Sequence, residues 1–186
     1  GTVHLGNFRE IITVDLVVKA LRSRGKNVRF IYSWDDYDVF RKVPANMPNP
    51  EILNNYLRYP ITMVPDTTER NENYARHHEV DVEQELPRVG IHPEFLYQAS
   101  RYRDNRYTEG MKKAMQNRDE EHKMKKDDVY WPIAAFCCKC NKDTTEITGY
   151  DGEYGVSYKC SSCGHEEHGD LRTSKEFKLG WRVDWP

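Results

Sequence analysis

The stretch Val28-Arg29-Phe30-Ile31-Tyr32-Ser33-Trp34-Asp35-Asp36 decides the fold class, because two carboxylates follow directly after an apolar run. The run is apolar on both faces, which is typical of a strand buried in a parallel sheet. Ahead of it, Gly25 ends a segment with apolar residues at helical spacing, namely Phe8, Ile11, Ile12, Leu16, Val17 and Leu21. The order of helix, strand and acidic loop predicts an α/β fold with a Rossmann-like, doubly wound parallel sheet.

Asp35 and Asp36 are the first candidate binding residues. Ligands of open parallel sheets bind beyond the carboxyl ends of the strands, where these two carboxylates lie in sequence. We therefore expect a ligand to bind beside these two carboxylates.

The residues at the start of the helix, Gly1-Thr2-Val3-His4-Leu5-Gly6-Asn7, indicate an anion site. His4 and Gly6 fall at or just before the helix N-terminus, where N–H groups point outward and carry positive partial charge. Small residues there allow a phosphate to approach the backbone. A capping or surface role is the alternative for His4.

Two C-x-x-C pairs predict a zinc ribbon. Nineteen residues separate the pairs, which is within the spacing of four-cysteine zinc sites. Four thiolates complete a tetrahedral shell and leave no position for water, so the metal is expected to be structural. Strands are predicted over 144–148 and 156–159. The expected ligands are Cys137, Cys140, Cys160 and Cys163.

Cys138 is left over by this assignment and is expected to be a buried spectator. An odd count of five cysteines argues against a disulfide framework. His165 and His168 follow the last ligand closely. Surface imidazoles, a replacement ligand and a second weak site are the open alternatives for these two residues.

Composition restricts the function without specifying it. The 186 residues carry a formal net charge of −2, which gives no general attraction to nucleic acid. Local contact with RNA would fall on the basic, tyrosine-containing segment 101–126, for which a solvated helical face is the alternative. The sequence has no apolar run of bilayer length and no evident signal peptide, so we expect a cytoplasmic protein with no membrane partner.

Three sequence blocks resemble class I lysyl-tRNA synthetases of the archaeal and spirochaete type. The block His4-Leu5-Gly6-Asn7 is similar to the HIGH-type signature. The other two are Trp34-Asp35-Asp36-Tyr37-Asp38-Val39-Phe40-Arg41-Lys42-Val43-Pro44 and Trp181-Arg182-Val183-Asp184-Trp185-Pro186. They occur in the family's order and, with the cysteine cluster, extend over most of the chain.

The resemblance implies an ATP-dependent ligase that makes lysyl-adenylate and transfers lysine to tRNA(Lys). It implies ATP with Mg²⁺ as a substrate and Zn²⁺ as a structural ion. His4 and Asn7 would be catalytic and, with Gly6, would bind ATP. Asp35 or Asp36 would hold the α-ammonium of lysine, and Asp184 the ε-ammonium. Trp181 or Trp185 would line the lysine side chain, with a core position as the alternative.

The same resemblance suggests four parts. Residues 1–66 would begin the Rossmann-like ATP- and amino-acid-binding domain, including a proline-broken loop over 44–65 with a short helical turn at 51–59. Residues 67–130 would form a helical insertion that carries the acceptor end of tRNA. Residues 131–172 would form the zinc ribbon, and 173–186 a strand that returns to the catalytic domain.

The family also has a Pro-Ser pair ahead of the first glycine, a KMSKS-like loop and anticodon-binding helices, which this sequence does not contain. We therefore expect the 186 residues alone to have little or no aminoacylation activity. Two other interpretations stay open. One is a different class I synthetase or a nucleotidylyltransferase; the other is a non-catalytic zinc-ribbon module that binds nucleic acid. The sequence does not indicate an oligomeric state.

Overall fold

A computed structural model describes residues 5–118 and 131–180. These residues form two compact units of mixed α/β structure. The first unit contains 5–36, 42–56 and 61–98, and the second contains 37–41, 57–60, 99–118 and 131–180. Among the described helices, none combines the length with the apolar composition that crossing a membrane requires.

The first unit is built from helices and one pair of strands. Its elements are α1 (Leu5–Ser23), β1 (Ile31–Trp34), α2 (Pro50–Asn54), a single 3₁₀ turn (Ile61–Met63), α3 (Tyr74–Arg88) and β2 (Glu94–Tyr97). β1 and β2 are parallel, with Ile31 opposite Glu94 and Trp34 opposite Tyr97. α3 lies between the two strands in sequence, as a parallel connection requires. Both strands therefore end at the same edge of the pair.

The core of this unit lies among α1, α3 and the two strands. Its buried residues are Ile11, Val18, Phe30, Leu86 and Ile91. Asp15 is also buried and pairs with Lys19 at 2.7 Å, and Lys19 donates to the carbonyl of Gly90 at 3.1 Å. This polar anchor fixes which face of α1 is turned inward.

Two details of the predicted packing are wrong. Leu16 and Val17, expected on the apolar face of α1, are 61% and 54% exposed. They lie beside the stripe formed by Ile11, Asp15 and Val18, which faces the core. In β1, Ile31 and Ser33 are exposed, so one face of the predicted doubly buried strand is open in the described structure.

The second unit contains two short helices and two antiparallel sheets. Most of α4 (Gln98–Arg103) belongs to it, and α5 (Thr108–Gln116) follows. β3 (Ile133–Ala135) pairs with β7 (Phe177–Leu179). β4 (Thr145–Tyr150), β5 (Gly155–Cys160) and β6 (Glu166–Asp170) form a three-stranded sheet in that order.

Aromatic residues fill the core of the second unit. Tyr158 and Phe177 are almost fully buried and meet edge to face with ring centroids 5.9 Å apart. Tyr37 packs on Tyr102 and Phe136, and its hydroxyl donates to the carbonyl of Lys175 at 2.7 Å. These contacts hold the two sheets and α4 around one core.

Candidate functional site

The shared edge of β1 and β2 carries the first cluster of candidate site residues. Trp34 ends β1 and Tyr97 ends β2 in the paired register. Asp35 and Asp36 follow Trp34, as the sequence predicts, but their environments differ. Asp35 is exposed, whereas Asp36 is 6% exposed. Of the two predicted carboxylates, only Asp36 is therefore enclosed by the protein.

α3 adds charged residues that the sequence analysis did not single out. Arg76 bonds Glu79 at 2.7 Å and both carboxylate oxygens of Glu83 at 3.0 Å. The hydroxyl of Tyr97 donates to Glu83 at 2.8 Å, and the Arg76 guanidinium lies 5.3 Å from the Tyr97 ring centre. The spacing of Arg76, Glu79 and Glu83 by three and four residues was the available signal, since it puts them on one helical face.

The electrostatics of this cluster are acidic. Burial raises the pKa of Glu79, the bond from Arg76 opposes that rise, and the nearby charge of Asp36 adds to it. For Glu83, burial is overcome by hydrogen bonds from Arg76 and Tyr97, which lower its pKa. Glu79 and Glu83 thus share the Arg76 guanidinium, and the charge of Asp36 lies close to Glu79. Three carboxylates this close together would attract a cationic ligand.

Trp34 supplies an aromatic wall next to these carboxylates. Its ring stacks on Phe95 at 6.3 Å between centroids and meets Tyr32 edge-on at 4.7 Å. The indole N–H is buried and lies close to Glu83, where its hydrogen bond contributes, after those of Arg76 and Tyr97, to lowering the pKa of Glu83. Trp34 is therefore part of the same polar cluster.

The predicted anion site falls at the beginning of α1. Gly6 and Asn7 lie in the first turn of the helix, where N–H groups are directed out of the helix end. His4 lies outside the described residues, and so do Trp181, Asp184 and Trp185. Their predicted roles stay predictions.

Four cysteines of the second unit come together as the sequence predicts. The sulfurs of Cys137 and Cys163 are 3.6 Å apart, as are those of Cys140 and Cys160. All four sulfurs lie within 4.8 Å of one another. These separations are close to the edge of about 3.8 Å expected for sulfurs around a tetrahedral metal with bonds of about 2.3 Å.

The two cysteine turns, which are the C-x-x-C segments 137–140 and 160–163, have the same backbone geometry. The carbonyl of Cys137 accepts from Asn141 N–H at 2.8 Å, and that of Cys160 accepts from Gly164 N–H at 2.9 Å. Asn141 and Gly164 both have positive φ, of 60° and 70°. Asparagine and glycine tolerate this conformation best, which explains why the sequence has them at these positions.

Three of the thiols have shifted pKa values. Burial raises the pKa of Cys137 and Cys140. At Cys160, hydrogen bonds from Thr144 and from backbone N–H groups overcome burial and lower the pKa to about 6. The close approach of the four sulfurs is compatible with a closed, four-thiolate zinc site, which would cross-link the two turns.

The described part of the basic segment is engaged within the second unit. Arg101 donates to the Tyr107 hydroxyl at 3.0 Å, Arg103 lies 5.4 Å from the Tyr37 ring centre, and Lys112 pairs with Glu153. Residues 119–126 lie outside the described residues. Contact of this segment with RNA stays a prediction.

Comparison with known proteins gives one consistent family over the whole chain. A family model for class I (K) tRNA synthetases matches residues 1–186. This chain is similar to the lysine–tRNA ligases of Treponema pallidum, Borreliella burgdorferi and Pyrococcus horikoshii. The identities are 50%, 52% and 41% over 196, 193 and 197 residues. Each alignment covers 100% of this chain, which spans 37% of the length of each relative. The chain belongs to the class I (K) tRNA synthetase family.

Proposed function

We propose that this chain is the ATP- and lysine-binding part of a lysine–tRNA ligase. The observation that carries the proposal is 50% identity to such a ligase across 100% of the chain. The whole enzyme would activate lysine with ATP and transfer it to tRNA(Lys). A cytoplasmic location goes with this function and is part of the proposal.

The proposed reaction needs positioned groups rather than a protein nucleophile. The lysine carboxylate attacks the α-phosphorus of ATP, pyrophosphate leaves, and a ribose hydroxyl of tRNA then takes the lysyl group. Both nucleophiles belong to the substrates. The protein therefore acts by orienting them and by stabilising the charge that develops on phosphate, with Mg²⁺ bound to ATP.

The first turn of α1 is the proposed phosphate site. His4 would donate to the α-phosphate, Asn7 would add a neutral donor, and Gly6 would allow the nucleotide close to the backbone. The parallel pair β1 and β2 would be the start of the Rossmann-like catalytic sheet. Loss of one transition-state donor of this kind typically costs about 3 kcal/mol.

The shared edge of β1 and β2, with the carboxylates of Asp36, Glu79 and Glu83, is the proposed site of a lysine ammonium. Asp36 is the better candidate of the two aspartates because it is enclosed and close to Glu79. Trp34 borders the same edge and would contact methylene groups of the substrate. We keep Asp184 for the second ammonium, with Trp181 or Trp185 along the lysine stem.

Cys137, Cys140, Cys160 and Cys163 would hold Zn²⁺ as a structural ion. The metal would join the two cysteine turns and support the three-stranded sheet of β4, β5 and β6. Its four thiolates leave no open position for substrate. Apart from α3 and β2, which we assign to the catalytic unit, the segment 67–130 is the proposed support for the acceptor end of tRNA.

A protein of the relatives' length that contains this chain tests the proposal. Exchange of pyrophosphate into ATP is measured with lysine, arginine, cysteine and methionine in turn, for the wild type and for His4→Ala. We expect exchange with lysine alone and a loss of about 100-fold in His4→Ala. Exchange with another amino acid in place of lysine, or an unchanged rate in His4→Ala, would contradict the proposal.

A further inference from the structure

A second group of metal-ligand side chains lies on the cysteine-rich sheet. The sulfur of Cys138 is 3.3 Å from Nε2 of His165 and 3.4 Å from Oε2 of Glu167. His165 Nε2 is 3.1 Å from the same Glu167 oxygen. Three different donor atoms thus converge on one point, and this group shares no residue with the four-cysteine cluster.

Rigid backbone positions each of the three side chains. The N–H of Cys138 donates to the hydroxyl of buried Tyr158 at 2.9 Å. The carbonyl of His165 accepts the N–H of Cys160 at 2.8 Å, which fixes the histidine at the second cysteine turn. Glu167 lies on β6, directly opposite Tyr158 of β5. Tyr158 therefore ties two of the three donors to the same point of the sheet.

The distances among the three donor atoms can be compared with the edges of a tetrahedral metal site, as for the four cysteines. For a tetrahedral divalent metal, an edge between sulfur and nitrogen or oxygen is about 3.5 Å, and one between nitrogen and oxygen is about 3.3 Å. The measured values of 3.3, 3.4 and 3.1 Å are each within about 0.3 Å of these edges.

The donor chemistry selects the class of metal. One thiolate, one imidazole and one carboxylate suit a borderline divalent ion such as Zn²⁺ or Co²⁺ rather than Mg²⁺ or Ca²⁺. Cys138 is exposed, and the side chains of His165 and Glu167 are 27% and 35% exposed, so solvent reaches the group. Three protein ligands leave a fourth position for water or an external ligand.

We propose that Cys138, His165 and Glu167 form a second, solvent-accessible binding site for a divalent transition metal, separate from the four-cysteine site. This assignment replaces the expectation that Cys138 is a buried spectator, since the residue is exposed. It also separates the two histidines. His165 belongs to the site, whereas His168 bonds the hydroxyl of Ser157 at 2.9 Å.

The test is a titration of the metal-free 186-residue chain with Co²⁺ under anaerobic conditions, followed by its visible absorption. The wild type, Cys138→Ser, Glu167→Gln and His165→Ala are compared, with His168→Ala as the matched control. Each substitution falls on a side chain that is at least partly exposed, and Glu167→Gln preserves shape.

We expect two equivalents of Co²⁺ in the wild type and in His168→Ala. The second equivalent should give the weaker sulfur-to-metal charge-transfer band, because one thiolate binds it rather than four. The three variants Cys138→Ser, His165→Ala and Glu167→Gln, which alter the proposed triad of ligands, should bind one equivalent and keep the spectrum of the four-thiolate site. A chelator should remove the second equivalent from the wild type first.

A single equivalent in the wild type would overturn the proposal, because the triad would then be only a hydrogen-bonded cluster. Two equivalents in Cys138→Ser would overturn it as well. So would a triad variant that loses the four-thiolate spectrum, since that result would give the three residues a role in supporting the first site.

Discussion

Asp66 fixes the conformation of the segment that leads into α3. Its side chain is fully enclosed and accepts hydrogen bonds from the N–H and hydroxyl of Thr68, at 2.9 and 2.7 Å, and from Asn71 N–H at 2.9 Å. Nδ1 of His77 lies 3.2 Å from the same carboxylate. Burial alone would raise the pKa of Asp66, but the bonds from Thr68 and the neighbouring His77 lower it well below its usual range.

Replacing Asp66 by Asn should lower the free energy of unfolding by about 2 kcal/mol near neutral pH, because hydrogen bonds to a charged acceptor are lost. The folded-state pKa of Asp66 is depressed, so its stabilisation is present above about pH 4 and is lost as the pH falls further. Urea unfolding at several pH values measures this. The difference between wild type and variant should shrink below pH 4, and a difference independent of pH would contradict the assignment.

His78 follows His77 but has a less polar environment, without a neighbouring carboxylate bonded to its Nε2 among the described residues. It is 9% exposed, meets Tyr74 edge-on at 4.6 Å, and its Nε2 has no hydrogen-bond partner in the described structure. Burial lowers the pKa of His78 to about 4. The folded protein therefore holds this imidazole neutral at a pH where the unfolded chain protonates it.

Stability should fall as the pH is lowered from about 6.5 to about 4, by up to about 3 kcal/mol from His78 alone, because the unfolded state binds the extra proton. His78→Leu removes the titrating group and keeps a similar volume, so it should flatten this slope. Thermal unfolding across this pH range is the measurement. His92→Leu is the control, and the assignment fails if both variants keep the slope of the wild type.

The elements differ in how far the sequence predicts them. Periodicity, acidic strand ends and spacing predict the start of α1, the strand β1, the strands β4 and β5 and the clustering of the four cysteines. β6 was missed because Glu166-Glu167-His168-Gly169-Asp170 has no apolar or β-branched residue; its pairing with β5 follows from the cysteine turn before it. Strand propensity is weak where tertiary contacts decide the pairing.

The inward face of α1 shows the same limit. Leu16 and Val17 fit the apolar periodicity, yet the helix buries Asp15 because Lys19 pairs with it and reaches Gly90. The Arg76 cluster was also missed. In the sequence, the charged residues of α3 are typical of a solvated helical face. Only the folded structure shows that the hydroxyl of Tyr97, from β2, bonds Glu83.

Metal removal should unfold the three-stranded sheet of the second unit. The two cysteine turns are linked to each other by thiol contacts, and metal affinity at such a site contributes directly to folding. Cys160→Ser, or exhaustive chelation, should lower the thermal midpoint by more than 10 °C, about 2 kcal/mol or more for a domain of this size. Ser161→Ala in the same turn is the control, and an unchanged midpoint after verified metal removal would contradict a structural zinc.

We expect these 186 residues to hold only part of the groups that the proposed reaction needs. The chain spans 37% of the length of its relatives. We predict that the 186-residue chain alone exchanges pyrophosphate into ATP at least about 1,000-fold more slowly than a protein of the relatives' length, because positioned groups from several segments are needed. Radiolabelled pyrophosphate exchange measures both. Enzyme-like exchange by the short chain would disprove this prediction.

If Asp36 binds a lysine ammonium at the common end of β1 and β2, the KM for lysine should depend on its carboxylate. Lysine-dependent exchange is measured in a protein of the relatives' length for the wild type, Asp36→Asn and the exposed control Asp35→Asn. We predict that Asp36→Asn raises the KM for lysine by at least about tenfold and leaves that for ATP unchanged, as expected for one lost charged hydrogen bond, whereas Asp35→Asn changes neither. Equal KM values for lysine in all three proteins would contradict the account.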